Sequence, residues 1–278
     1  MNEPAQVCVI GWPIHHSRSP LIHNYWLRQY GIDARYEKRA VAPEDLPEFL
    51  ARFAEQGLIG ANVTIPHKET VFRSVTVEDR FSNSLQAVNT LYLQDGRLMG
   101  TNTDGYGFLA NLKQAVPDLS LHGANVAILG AGGAARAVVG ALLEEGVKSI
   151  ALANRSMQRA EDVASQFGTT VRVVPWDSRE DMLDGCDLLV NTTSLGMTGK
   201  DPLAFSFEGA TEALVVCDIV YVPLMTPLLT EAATRGLRIV DGLGMLLHQA
   251  VPAFERWFGV RPQVTPALRA LVIADLQG

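Results

Sequence analysis

An α/β fold in two domains is what this sequence predicts, and three observations predict it. The chain has 278 residues, of which 47% are hydrophobic and 19% charged, enough to build two cores of ordinary size. Short apolar runs alternate with helical patterns along most of its length. In the second half the strand runs are continuously apolar, as in Val126-Ala127-Ile128-Leu129, which suits a parallel sheet covered by helices on both faces.

In the first half, Val7 to Ile10 reads as a strand. Ser19-Pro20 has the form of an N-cap followed by proline in the first helical position, and Leu21, Ile22, Tyr25, Trp26 and Leu27 give the apolar stripe that Gly31 ends. Ala34 to Arg39 is a second strand, Pro43 to Gln56 an amphipathic helix stopped by Gly57, and Leu58 to Val63 a third strand. Val88 to Leu93 and Arg97 to Thr101 flank Gln94-Asp95-Gly96, a hairpin pattern. Beyond these, Asn125 to Leu129, Lys148 to Ala153, Val171 to Val174, Asp187 to Val190, Ala213 to Cys217 and Arg238 to Val240 read as strands with helices between most of them. Leu243 to Phe258 and Pro266 to Leu276 close the chain as helices. The expected division is a discontinuous domain of residues 1–103 and 244–278 around a second of residues 104–243.

Several function classes are disfavoured. No apolar run reaches the roughly 18 residues of a membrane span, and Met1 to Gln6 lacks the basic-then-apolar character of a signal peptide. Cys8, Cys186 and Cys217 are odd in number, far apart and set in apolar stretches, the pattern of buried reduced thiols and a cytoplasmic protein. A net charge of -7 and the lack of an aromatic row argue against nucleic acid. His15, His16 and His23 match no common zinc spacing and no cysteine is near them, so no metal is expected. His16 is expected to position the serine loop, and His67 to be structural.

The stretch Ala61-Asn62-Val63-Thr64-Ile65-Pro66-His67-Lys68 carries chemistry, because a strand that stops at Asn, Thr and Lys ends in groups that gain nothing from a core. About 36 residues on, Asp104 follows Thr101-Asn102-Thr103 at the start of a helical pattern. A lysine and an aspartate from two loops can hold a proton where a carbonyl becomes an alkoxide. The third element is Gly130-Ala131-Gly132-Gly133-Ala134-Ala135, a Gly-x-Gly-x-x-Ala turn between strand and helix. There Gly130 permits the turn, Gly132 admits a pyrophosphate and the helix N-terminus supplies N–H donors. The next strand ends at Asn154-Arg155-Ser156, with Arg159 one turn on, where an NAD site usually carries a carboxylate. A guanidinium there binds a 2′-phosphate, so NADP is predicted over NAD. Together these features point to a nicotinamide-dependent carbonyl reductase.

Along nearly its whole length the sequence resembles the shikimate dehydrogenase family. The resemblance rests on Gly11 to Pro20 with His23-Asn24, on Asn62 to Lys68, on Ala87-Val88-Asn89-Thr90, and on Asn102 to Gly105. It continues through Gly130 to Ala137, Asn154 to Ser156, Asn191 to Met197, Asp218 to Tyr221 with Thr226 to Leu229, and Gly242 to Leu246 with Gln249-Ala250. It implies an N-terminal α/β substrate domain and a Rossmann-type doubly wound NADP-binding domain, with the active site in the cleft between them. It also implies reversible NADPH-dependent reduction of 3-dehydroshikimate to shikimate, on the route through chorismate to aromatic amino acids.

By position, the resemblance makes Ser17 and Ser19 ligands of the substrate carboxylate. Thr64, Asn89 and Gln249, with Tyr221, would face the ring hydroxyls, Lys68 and Asp104 would be the catalytic pair, Ile219 would bind the cofactor, and Gly242 and Met245 would lie near its nicotinamide end. Three positions depart from the family pattern: Gln86 for a common glycine, Ser156 for the commoner threonine, and His248 for a smaller residue. The rival readings are a quinate/shikimate paralogue using NAD, an enzyme of an altered ring, and a non-catalytic dinucleotide-sensing regulator. Arg155 argues against the first, and retention of Lys68 and Asp104 against the last. Family members are monomers or homodimers, and the sequence does not choose.

Overall fold

The structure, a computed structural model, describes residues 4–277, so Met1 to Glu3, part of the stretch read for a signal peptide, lie outside it. It divides into two compact units, one ending at Thr103 and resuming at Leu247, the other spanning Asp104–Leu246.

The first unit is built on a five-stranded sheet. In chain order its strands are β1 (Ala5–Gly11), β2 (Ala34–Ala40), β3 (Leu58–Val63), β4 (Thr90–Gln94) and β5 (Arg97–Thr101). Their spatial order is β2-β1-β3-β4-β5, parallel across the first three and antiparallel from β3 onward. Helices α1 (Ser19–Tyr30), α2 (Leu46–Ala51), α3 (Lys68–Ser74) and α4 (Arg80–Leu85) connect these strands. The β4–β5 hairpin turns on Asp95 and Gly96, both at positive φ (50° and 75°), as a two-residue primed turn requires.

Two local readings are corrected. Ser19 is not the N-cap of α1: Arg18 is, with no side-chain cap, and Ser19 is the first helical residue ahead of Pro20. The helix expected over Pro43–Gln56 is shorter, running Leu46–Ala51 and then a 3₁₀ turn over Ala54–Gln56. Phe53 is fully buried between them and docks in the sheet core, so tertiary packing ends the regular helix early.

Gln86 closes α4 in the left-handed conformation (φ 53°, ψ 35°), its N–H donating to the carbonyls of Ser82 and Asn83. A side chain there costs about 1–2 kcal/mol relative to the right-handed region, which glycine avoids at some cost in unfolded-chain entropy. Gln86→Gly is therefore expected to stabilise the protein by about 0.5–1 kcal/mol, read as a higher urea midpoint at unchanged slope.

Against the sheet, His23 of α1 lies fully buried, stacked on Tyr36 at 4.3 Å and edge-on to Trp26 at 5.8 Å. Neither ring nitrogen has a hydrogen-bond partner. Burial holds its pKa down to about 3, against a weaker opposing influence from Asn62. In the unfolded chain the ring titrates near its ordinary 6.5. Above that pH neither state carries the proton and stability is undiminished. From 6.5 down to about 3 only the unfolded state binds it, so stability falls by about 1.4 kcal/mol per pH unit in that window. Urea unfolding at pH 7.5 and 4.5 should show this loss, and His23→Gln should flatten it. An equal loss in the variant would assign the acid sensitivity to carboxylates instead.

The second unit is a doubly wound sheet. Its strands are β6 (Asn125–Leu129), β7 (Ser149–Ala153), β8 (Val171–Val174), β9 (Leu188–Asn191), β10 (Val215–Asp218) and β11 (Arg238–Val240). They lie in the order β11-β10-β9-β6-β7-β8, all parallel. The chain winds outward from β6 in both directions, so the switch point falls between β6 and β9, where such sheets bind nucleotides. Alternation divides the core: Val126 and Ile128 join one hydrophobic layer, and Ala127 and Leu129 the other. Helices α5 (Asp104–Ala115), α6 (Gly133–Glu144), α7 (Met157–Phe167) and α8 (Pro227–Thr234) belong to this unit. Helix α9 (Leu243–Phe258) begins in it and continues into the first unit, which α10 (Pro266–Gln277) completes.

The division falls inside α9, at Leu246/Leu247, rather than before Gly244. Met245 packs on the second unit's core, and a Cβ on Gly244 would collide with Asn111 Oδ1 at 1.7 Å, so the first turn of α9 is held by α5. Among the described residues no helix is long and apolar enough to cross a membrane.

Candidate active site

In the first unit the carboxyl ends of β1 and β3 set the site. Thr64 follows β3, its N–H donating to the Ile10 carbonyl at 2.9 Å and its own carbonyl accepting from His67 N–H at 3.0 Å. Any side chain at Gly11 would lie 2.6 Å from Thr64 Cγ2, so glycine permits this close approach. Lys68 is the first residue of α3, half-buried, and its carbonyl accepts the Val88 N–H at 3.0 Å. His67 is buried, with Nε2 2.8 Å from the Val41 carbonyl, a structural imidazole that pins the turn before Lys68.

Asn89 is committed on both ends of its amide. Its Oδ1 accepts from Thr103 N–H (2.9 Å) and Thr90 Oγ1 (2.9 Å), and its Nδ2 donates to Thr103 Oγ1 (3.0 Å). Thr103 Oγ1 in turn donates to the Gln249 carbonyl at 2.8 Å. Thr64, Lys68, Asn89 and Gln249 are thus joined by a hydrogen-bonded chain through β3, the Val88 loop and Thr103. Thr103 is a residue that sequence reasoning quoted but gave no role; its place between Asn102 and Asp104 was the available signal.

The two serines differ. Ser17 is half-buried, and its Oγ accepts the Ser19 N–H at 3.3 Å. Ser19 is buried beside Tyr36, whose phenol donates to Asn62 Oδ1 at 2.6 Å. Burial raises the Tyr36 pKa well above its ordinary value, with the Ser19 contact opposing, so Tyr36 remains a neutral donor. His15 and His16 are exposed; the His16 carbonyl accepts from Arg18, within the serine loop.

In the second unit Asp104 opens α5 and is buried, its carboxylate at the positive end of the helix dipole. Gly130 has φ 105°, and a Cβ there would meet Thr192 Oγ1 at 2.6 Å, so only glycine serves. Gly132 caps α6 from an extended conformation, and a Cβ on Gly132 or Gly133 would meet no protein atom within 4 Å. No internal packing explains those two glycines. The space beside them adjoins the N–H groups of Gly133, Ala134 and Ala135 in the first turn, a fit for a pyrophosphate. Asn154 Nδ2 donates to the Ser156 carbonyl at 2.9 Å, shaping the start of α7, and Arg155, Ser156 and Arg159 are exposed there. Ser156 caps α7 by position without using its hydroxyl, which suits a phosphate ligand. The donor set fits NADP, and among the described residues no cluster of His, Cys, Asp or Glu could hold a metal.

Past β10, Ile219 N–H donates to the Asn191 carbonyl at 3.1 Å, and Tyr221 is half-buried. Gly242 is buried so tightly that a Cβ would fall 2.2 Å from the Ile219 carbonyl oxygen. Met245 and Ile219 pack on the same hydrophobic layer. Asp218, fully buried at the end of β10, has its pKa raised by burial, with donors from Val220, Thr226 and Asn191 opposing.

Three family matches tile the chain: the shikimate dehydrogenase substrate binding domain over residues 9–91, the shikimate/quinate 5-dehydrogenase domain over 111–199, and the shikimate 5′-dehydrogenase C-terminal domain over 242–272. The chain belongs to the shikimate dehydrogenase family. A shikimate dehydrogenase (NADP(+)) of Paramagnetospirillum magneticum is 54% identical over 96% of this chain and 97% of its own. Among solved structures, the Thermus thermophilus shikimate 5-dehydrogenase in complex with NADP(H) and shikimate superposes with a TM-score of 0.85, at 35% identity over 98% of this chain and 99% of that one. A Corynebacterium glutamicum quinate dehydrogenase in complex with NAD gives 0.91, at 30% identity over 98% of this chain and 100% of that one. The same fold is thus shared by solved proteins whose names differ in substrate and in bound cofactor. The three cysteines are buried and unpaired, and burial raises Cys8 to about 12 and Cys186 to about 11, so neither thiol ionises near neutrality.

Proposed function

We propose that the protein catalyses the reversible NADPH-dependent reduction of 3-dehydroshikimate to shikimate. The observation that carries this reading is the hydrogen-bonded chain joining Thr64, Lys68, Asn89 and Gln249 in one unit; the other unit carries the glycine turn and exposed Arg155. Neutral donor–acceptor groups suit a polyol, because each ring hydroxyl both gives and takes a hydrogen bond.

In this reading the unit that ends at Thr103 and resumes at Leu247 binds the substrate, and the unit of residues 104–246 binds NADP. Ser17 and Ser19 hold the substrate carboxylate. Thr64, Gln249 and Tyr221 bind ring hydroxyls, and Asn89 adds its amide nitrogen while its oxygen fixes Thr103. Bound NADPH supplies hydride to the ring ketone carbon. Lys68, as ammonium, stabilises and protonates the developing alkoxide, and Asp104 orients Lys68 and accepts from the neighbouring hydroxyl. Gly130, Ala131, Gly132, Gly133 and Ala134 hold the pyrophosphate; Asn154, Arg155, Ser156 and Arg159 the 2′-phosphate; Ile219, Gly242 and Met245 flank the nicotinamide. Three buried reduced thiols support a cytosolic location.

Absorbance at 340 nm with shikimate or quinate, each with NADP or NAD, tests the reading. Strong turnover is expected only with shikimate and NADP. Comparable turnover of quinate or with NAD would place the protein in a dual-specificity group, and binding of NADPH without turnover would point to a regulator.

A further inference from the structure

We propose that Asp218 is a positioning residue for the nicotinamide half of the dinucleotide site, an inference that rests on the functional reading above. Asp218 ends β10 and is fully buried. Its Oδ1 accepts from Asn191 Nδ2 at 2.9 Å and from Val220 N–H at 3.0 Å, and its Oδ2 accepts from Thr226 Oγ1 at 2.7 Å. All three partners are donors, so the site requires a group with two acceptor oxygens and no hydrogen of its own.

Each bond fixes a different piece of backbone. Asn191 ends β9, and its Oδ1 accepts from Thr193 N–H and Oγ1 at 3.0 and 2.7 Å, folding the 191–195 turn. Thr226 caps α8 through Leu229 N–H, anchoring the far end of the loop that carries Tyr221. The Val220 bond turns the chain immediately after β10. With both ends held, the carbonyls of Ile219 and Val220 are the atoms that a Cβ on Gly242 would strike, at 2.2 and 2.7 Å. Gly242 is thus seated by backbone that Asp218 orders, and Gly244, two residues on, is seated by Asn111. Asp218 therefore acts on the cofactor only through Ile219 and Gly242, and not on the phosphate end at Arg155.

Amide hydrogen exchange of the cofactor-free protein gives the first test. Asp218→Asn places an NH₂ against the Thr226 hydroxyl, and exchange is expected to rise about tenfold at 191–195, 219–222 and 242–245 together. Thr226→Val, which removes the donor, should do the same, whereas Thr226→Ser should keep wild-type protection at those segments. Binding gives the second test: NADPH should bind about tenfold more weakly to Asp218→Asn, while adenosine 2′,5′-bisphosphate, which lacks the nicotinamide half, should bind as to wild type. Unchanged protection at 242–245, or equal weakening of both nucleotides, would overturn the proposal. Because exchange needs no substrate, a wild-type protein that failed to oxidise shikimate would sink the functional reading while leaving this readout to judge Asp218.

Discussion

Lys68→Ala is expected to lower kcat for shikimate oxidation by about 10³-fold, within the usual contribution of a positioned general acid. Lys68 is half-buried at the first position of α3, with its carbonyl fixed by Val88 N–H at 3.0 Å and the turn before it pinned by buried His67. Both bonds use backbone or a neighbouring ring and persist when the ammonium is removed. The variant should accordingly melt near the wild-type temperature and bind NADPH with unchanged affinity. Substrate KM should move by much less than kcat, since the ammonium acts most strongly on charge that develops only in the transition state. A kcat within about threefold of wild type would remove Lys68 from the chemistry.

Arg155→Asp is expected to invert cofactor preference. Arg155 is exposed at the end of β7, beside Ser156 and one turn before Arg159 at the start of α7. Two charge-assisted hydrogen bonds to a 2′-phosphate, at about 1.5–3 kcal/mol each, set the loss in kcat/KM for NADPH on the order of 10²–10⁴-fold. The new carboxylate also repels the phosphate, while for NADH it offers an acceptor to the ribose 2′-hydroxyl, so kcat/KM with NADH should hold or rise. Equal losses with both cofactors would show that Arg155 serves the fold rather than the phosphate.

Most elements were legible in the sequence because period and punctuation agreed. The strands Leu58–Val63, Arg97–Thr101, Asn125–Leu129, Val171–Val174 and Arg238–Val240 begin and end where the sequence pattern predicts. Continuous apolar runs foretold the parallel sheet, since strands buried on both faces have no polar alternation to display. Misreadings came where packing overrode local preference. Phe53, drawn into the core, ends α2 early. Ser19 looks like a cap in sequence, yet the helix starts at it and buries it beside Tyr36. Gln86, read as a departure from a common glycine, does stand where glycine is favoured, in a left-handed C-cap held by two backbone bonds.

The sequence by itself determined the inventory: two α/β units, a glycine turn between strand and helix, a guanidinium where a carboxylate would select NAD, and a lysine at a strand end. These are readable because each depends on a residue's own conformational range or charge. Tertiary structure decided which polar groups are committed. Asn89 reads as a ligand in sequence, but folding ties its oxygen to Thr103, and Thr103 to Gln249. Asp218, Asn191 and Thr226 lie up to about 35 residues apart, and nothing local marks them as one network. Only the alignment of β9 with β10 brings their side chains within hydrogen-bond reach, because register between parallel strands is a property of the sheet and not of either strand.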